Sequence, residues 1–147
     1  MENGEKPRLA DMIIATTPIC AGACIYLLFR GKSILIFQIA EVIGAGDGID
    51  RARSWVRPMN SYFNGFALYS APTALWAFSF AFCIVKIWLP KLKSLGAAVC
   101  IAITVLIALG TELAQAAGLV QGRFDLADLV ANLVGVAAGG AVAYARQ

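Results

Sequence analysis

Glu112, Gln115, Arg123, Asp125, Asp128 and Asn132 are the residues whose types and spacing could do chemistry in this sequence. Asp125, Asp128, Asn132, Gly135 and Gly139 follow spacings of three, four, three and four, so on a helix they form one stripe, polar at its start and small further on. Gly96, Cys100, Thr104, Ala108, Glu112 and Gln115 form a matching stripe on the preceding apolar run, small first and polar last. The short turn GLVQGR joins the two runs, so they pack antiparallel, their polar ends meet, and Arg123 in the turn is the nearest cation. Arg51, Arg53 and Arg57, in the polar stretch before the second apolar run, and Glu41, in the short apolar stretch ahead of it, are expected to join them at the same end. Six of the nine acids (Glu41, Asp47, Asp50, Glu112, Asp125 and Asp128) fall on that side.

Two kinds of chemistry suit such a set. A structural clamp would have Arg123 and one or more of Arg51, Arg53 and Arg57 tie the helix ends together through Gln115 and Asn132. A ligand or catalytic pocket would turn acids, amides and arginines toward one cavity. An acidic side chain at the centre of a bilayer costs about 2.5 to 3.5 kcal/mol or more, falling toward the interface, and ionisable groups kept there are functional by default. A clamp needs one ion pair, whereas six acids gather here. The pocket is therefore the stronger expectation.

The elements that must position these residues follow from composition. Of 147 residues 60% are apolar and only 14% charged, and the mean hydropathy is +0.75. A soluble domain carries about a quarter charged residues, so this chain lacks the polar surface to cover itself in water. Each spanning helix needs about 20 residues. Four fit, at 12–29, 65–89, 95–117 and 124–144, leaving no room for a separate soluble domain. The stretch 33–46 is apolar but short and reads as an interfacial or re-entrant helix, and 47–64 reads as a structured polar loop. The expected fold is all-α: a single membrane domain over 1–147, an integral membrane four-helix bundle with the interfacial helix between spans 1 and 2. The first run follows Lys6 and Arg8 as a signal peptide would, but its length and the lack of a small-residue cleavage site favour a retained anchor. Arg30 and Lys32 end it.

The net charge of +3 carries no basic run of the kind that binds nucleic acid. No histidine is present, which removes the commonest metal ligand and neutral-pH base, so no metal or cofactor is expected. Cys20, Cys24, Cys83 and Cys100 all lie in apolar runs and read as reduced packing residues. With an even number of spans both termini share one side with Lys6, Arg8, Lys86, Lys91, Lys93 and Arg146. The other side holds Arg30, Lys32, Arg51, Arg53, Arg57 and Arg123. Six against six is a tie for the positive-inside rule. The acids on the second side should pair its arginines and leave the lysines of the first side free, which places the termini in the cytoplasm. Lys86 and Trp88 are expected as interface anchors of the second span.

The segment GTELAQAAGLVQGRFDLADLVANLVGVAAGG resembles the C-terminal signature of the VanZ-like membrane proteins, named for a protein that raises resistance to the glycopeptide teicoplanin. The matching residues are Glu112, Gln115, Gly122, Arg123, Phe124, Asp125, Asp128, Asn132 and Gly135, and the Pro72 to Phe80 stretch is similar to a Pro-x-x-Leu-Trp opening in small related proteins. The turn before Phe124 is one residue tighter than in many members, and Asn60, Tyr62 and Asn64 stand where many carry Asp-Lys and a histidine. The resemblance implies a four-helix protein of the bacterial inner (cytoplasmic) membrane that acts in antibiotic resistance or envelope-lipid homeostasis. Its partners would be the lipid bilayer and an envelope lipid or lipoglycopeptide held in an outward-facing polar pocket. Two other functions stay open: a small membrane enzyme acting on a lipid-linked phosphate, and an immunity or partner protein that binds a toxin, a membrane complex or a second copy through its small-residue faces. With no nucleophile motif and no phosphate loop, an enzyme is the weaker expectation.

Overall fold

A computed structural model of the chain describes residues 8–29, 35–62, 65–120 and 123–147. Lys6, Arg30, Lys32, Asn64 and Gly122, invoked above, lie outside the described residues. Among the described residues every regular element is helical: α1 Leu9–Phe29, α2 Leu35–Val42, α3 Gly46–Val56, α4 Ala71–Trp88, α5 Leu95–Ala116 and α6 Leu126–Ala145. A 3-10 stretch, Arg57–Tyr62, follows α3. A π turn, Phe66–Ser70, leads into α4, and a 3-10 turn, Leu89–Lys91, leaves it. Four runs are long and apolar enough to cross a membrane: Leu9–Phe29, Phe66–Lys91, Leu95–Ala116 and Leu126–Ala145. Each coincides with an expected span.

The π turn has a local cause. Pro72 has no N–H to return to the carbonyl four residues back, and the Ala71 N–H reaches the Phe66 carbonyl instead, widening the turn ahead of the proline.

α4 is the central element, packed along α6 and α1 and also against α5, which in turn lies on α6. Directions follow from pairs of contacts. Asp11 meets Lys86 and Gly22 meets Trp76, so α1 runs antiparallel to α4. Gly135 lies against the Ala74 backbone and Gly139 against that of Phe78, so α6 runs parallel to α4. Asn132 meets Ala108 and Asp125 meets Glu112, so α5 runs antiparallel to α6. One end therefore gathers the start of α1 with the ends of α4 and α6. The opposite end gathers the end of α5 with the starts of α4 and α6.

The interior is built of small side chains. Among the described residues six of the eight buried apolar ones are alanines (Ala40, Ala77, Ala81, Ala97, Ala131 and Ala143), and Ser79 and Thr104 are buried with them. The large aliphatic residues face outward instead, Leu106, Ile107, Leu133 and Val134 among them. Close approach sets this pattern on α6: a Cβ on Gly135 would fall 3.1 Å from the Ala74 carbonyl carbon, and one on Gly139 2.9 Å from that of Phe78. Backbone fits against backbone, the small-xxx-small contact of helices that pack without large side chains between them. The glycine face is thus an internal packing surface, the alternative to the partner-binding role considered for it.

The stretch 47–64 differs from its expected loop, because α3 and the 3-10 stretch occupy most of it. Ile49, Ala52, Arg53 and Val56 are the half-buried positions within α3's regular stripe, while Asp50, Arg51, Ser54 and Trp55 are exposed. The helical period is there, with an arginine at one of its inward positions.

Candidate functional site

α5 ends at Ala116 in a Schellman cap. Gly118, at φ 69°, gives its N–H to the Gln115 carbonyl (3.0 Å), and Leu119 gives its own to that of Ala114 (2.8 Å). The positive φ suits only glycine at low cost, and the cap turns the chain back toward α6.

α6 begins at Asp125, whose Oδ1 accepts the Ala127 N–H at 2.8 Å as an N-cap. Its own N–H goes to α5: Glu112 Oε2 accepts it at 3.1 Å. Glu112 is only 8% exposed, so this hydrogen bond is an internal stitch between two helix ends, with a carboxylate set at the positive end of the α6 dipole. In the amide orientation that matches its neighbours, both of them acceptors, the Gln115 nitrogen donates to Glu112 Oε2 (3.3 Å) and to the Arg123 carbonyl (3.0 Å). One turn further in, Asn132 Nδ2 donates to the Ala108 carbonyl at 3.0 Å. Asp125→Ala removes the cap acceptor while leaving the Glu112 contact to the backbone, and is expected to cost about 1 kcal/mol of stability in a denaturation series.

Asp128 occupies the third position of α6, from which a capping-box side chain would reach back to the N-cap N–H. Glu112 already holds that N–H. Asp128 is left half-buried, and its Oδ1, shielded from solvent, has no hydrogen-bond partner among the described residues. The Asn132 Oδ1 is likewise without a partner among them. Beside Asp128 a cleft of about 730 Å³ opens between the start of the α4 run and the start of α6, lined by Phe66, Tyr69, Ser70, Arg123 and Asp125 among others. A second cavity of about 490 Å³ between α4 and α5 reaches Asn132 and Glu112 past Thr73 and Trp76.

The sequence-predicted set is thus divided. Glu112, Gln115, Arg123, Asp125, Asp128 and Asn132 come together at one end, with Glu112, Gln115, Asp125, Asn132 and the Arg123 carbonyl held by hydrogen bonds and Asp128 beside them. The clamp expected through arginine is not the one observed: among the described residues Arg123, Arg51 and Arg57 form no ion pair, and Arg123, Arg51 and Arg57 are exposed. Arg53 turns to the other side of α3, donating from Nη1 to the Leu27 carbonyl at 2.6 Å with its guanidinium 5.0 Å from the centre of the Phe37 ring. A cation on the last carbonyls of α1 is favoured by that helix's dipole, and the Phe37 face adds to it. Glu41 lies exposed near the end of α2.

One charged group was not foreseen. Asp11 binds Lys86 Nζ through Oδ2 at 3.2 Å and Arg146 Nε through Oδ1 at 3.0 Å, and Lys86 also donates to the Arg146 carbonyl at 2.7 Å. Lys86, expected to be free, is therefore paired, and so is Arg146. An acid inside an apolar helix was the available signal. Trp88, expected as an interface anchor, lies over Gly96, where a Cβ would fall 2.7 Å from the indole.

The chain matches no protein-family model, no curated protein and no solved structure.

Proposed function

We propose that this protein is a four-helix bundle of the bacterial inner membrane, VanZ-like in its C-terminal hairpin, that binds an envelope amphiphile in the cleft beside Asp128 and so contributes to antibiotic resistance or envelope-lipid homeostasis. Large aliphatic residues outside and alanine and glycine inside support insertion, because exposed apolar area on this scale fits lipid and not water. The observation that carries the binding reading is the unpartnered Asp128 Oδ1 next to a cleft of about 730 Å³ that also holds Arg123. A purely structural carboxylate would have its acceptors satisfied. Asp128 and Asp125 suit an amine on the ligand, and Arg123 suits a phosphate or carboxylate.

The test is a deletion strain challenged with glycopeptides and other cell-wall-active agents, then complemented with the wild-type gene, Asp128→Asn or Arg123→Gln. The expected result is raised susceptibility on deletion, full rescue by the wild type, and at least about a tenfold weaker rescue by Asp128→Asn at equal membrane abundance, one lost charge-assisted contact being worth about 1.5 to 3 kcal/mol. Unchanged susceptibility to every agent on deletion overturns the reading.

Both termini face the cytoplasm in this proposal, with the cleft outside. The exposed Lys91 and Lys93 in the short turn after α4 support that side as the inner one. A C-terminal reporter is expected to be active in the cytoplasm, and a periplasmic location would reverse the orientation.

A further inference from the structure

We infer that the cavity at the opposite end, between the start of α1 and the ends of α4 and α6, is a headgroup site for an anionic phospholipid. It has a volume of about 500 Å³; Arg8, Lys86 and Arg146 line it together with Asp11, and Met12 and Phe82 are among its apolar walls. Three side-chain cations face the Asp11 carboxylate and the terminal carboxylate of Gln147, which lines the same cavity, and the donors of the cations are not used up. Asp11 takes one guanidinium N–H of Arg146 at Nε, leaving the two Nη groups without a partner among the described residues. Lys86 Nζ has three protons and two acceptors, Asp11 and the Arg146 carbonyl. Arg8 forms no ion pair among the described residues.

Asp11 therefore acts as an anchor that fixes Lys86 and Arg146 at the mouth of an apolar-walled cavity while leaving a surplus of positive charge there. A phosphodiester fits this combination, with its oxygens on the Arg146 Nη groups, Lys86 and Arg8, and with acyl chains running along the apolar surface between α1 and α4. The site lies at the end assigned above to the cytoplasmic face, where the leaflet is rich in such lipids. The inference rests on membrane insertion and not on the amphiphile cleft.

Purified full-length protein in a neutral detergent, titrated with phosphatidylglycerol or phosphatidylcholine and read by native mass spectrometry, tests it. One phosphatidylglycerol is expected to bind about fivefold tighter than phosphatidylcholine, the worth of one surplus charge at a membrane surface. Arg8→Gln, which breaks no ion pair among the described residues, is expected to reduce that affinity about fivefold, while Lys93→Gln on the exposed turn leaves it nearly unchanged. Arg146→Gln should abolish the preference, and if that variant does not fold, Arg8→Gln alone decides. Equal binding of the two lipids overturns the inference, as does equal loss in Arg8→Gln and Lys93→Gln, the mark of diffuse surface attraction. Full competition by inorganic phosphate also overturns it, making this a site for soluble anions. Retention of neither lipid also overturns it, while membrane insertion is read separately, from recovery of the protein in the membrane fraction after alkaline washing, which separates that failure from failure of the headgroup site.

Discussion

Gly139→Leu is expected to leave no folded protein recoverable from membranes. The Cβ alone would stand 2.9 Å from the Phe78 carbonyl carbon and still nearer its oxygen, and neither atom can rotate away as a side chain can. α6 would have to withdraw from α4 along the contact that Gly135 and Ala74 make one turn earlier. Overpacking of a well-filled interior costs about 1 to 3 kcal/mol even when side chains absorb it, and a backbone clash is the costlier case. Gly139→Ala should show the same defect in milder form. Two alanine controls are built into the molecule: Gly110 has nothing within 4 Å of a new Cβ, and Gly140 has only Val85 Cγ2 at 3.7 Å. Both are expected to keep or raise the melting temperature in detergent, since alanine in a helix is favoured over glycine by about 0.5 to 1 kcal/mol. If Gly139→Ala melts with these controls, the close approach of α4 and α6 is wrong.

Glu112→Ala is expected to separate the ends of α5 and α6. It strips the Asp125 N–H of its acceptor and Gln115 of one of its two, in a place where water does not readily replace them, at a cost of about 1 to 3 kcal/mol. Glu112→Gln keeps an oxygen for the Asp125 N–H but loses the charge that faces the α6 dipole, and should lose about 1 kcal/mol or less. Urea or thermal denaturation of the two variants in detergent gives the ordering. Equal loss in both would mean that charge, and not the hydrogen bond, holds the hairpin closed. Because Glu112 stabilises while Asp128 lacks a partner, the two acids are expected to part company: Glu112 variants change stability, and Asp128→Asn changes susceptibility at unchanged abundance.

The inward stripes of α5 and α6 were legible because helical period alone puts Thr104, Glu112, Asn132, Gly135 and Gly139 on one face, and all five are buried. The four long apolar helices were legible for the same reason that any long apolar run is. What period could not supply was the choice of partner. Arg53 and Arg123 are equally arginine in a sequence, yet Arg53 found the Leu27 carbonyl and the Phe37 ring on its own side of the fold. Glu112 took a backbone N–H in preference to any guanidinium, because Asp125 presents that N–H at the first turn of a helix pointing toward it. α3 was hidden by its own arginine: a stripe of Ile49, Ala52, Arg53 and Val56 reads as interrupted until the aliphatic stem of Arg53 is counted as part of it.

The contact between Asp11 and Arg146 closes over 135 residues of chain. α1 buries little else, only Asp11 and Gly22 along its length. A ribosome delivers α1 well before α6, so Asp11 must wait until Arg146 is made before its second cation exists. Loop length adds little to the equilibrium cost, about 0.6 kcal/mol per doubling, but it fixes the order of events. α4, α5 and α6 can assemble on their local contacts, and α1 locks only when Arg146 arrives, so the triad sets the order in which the helices close.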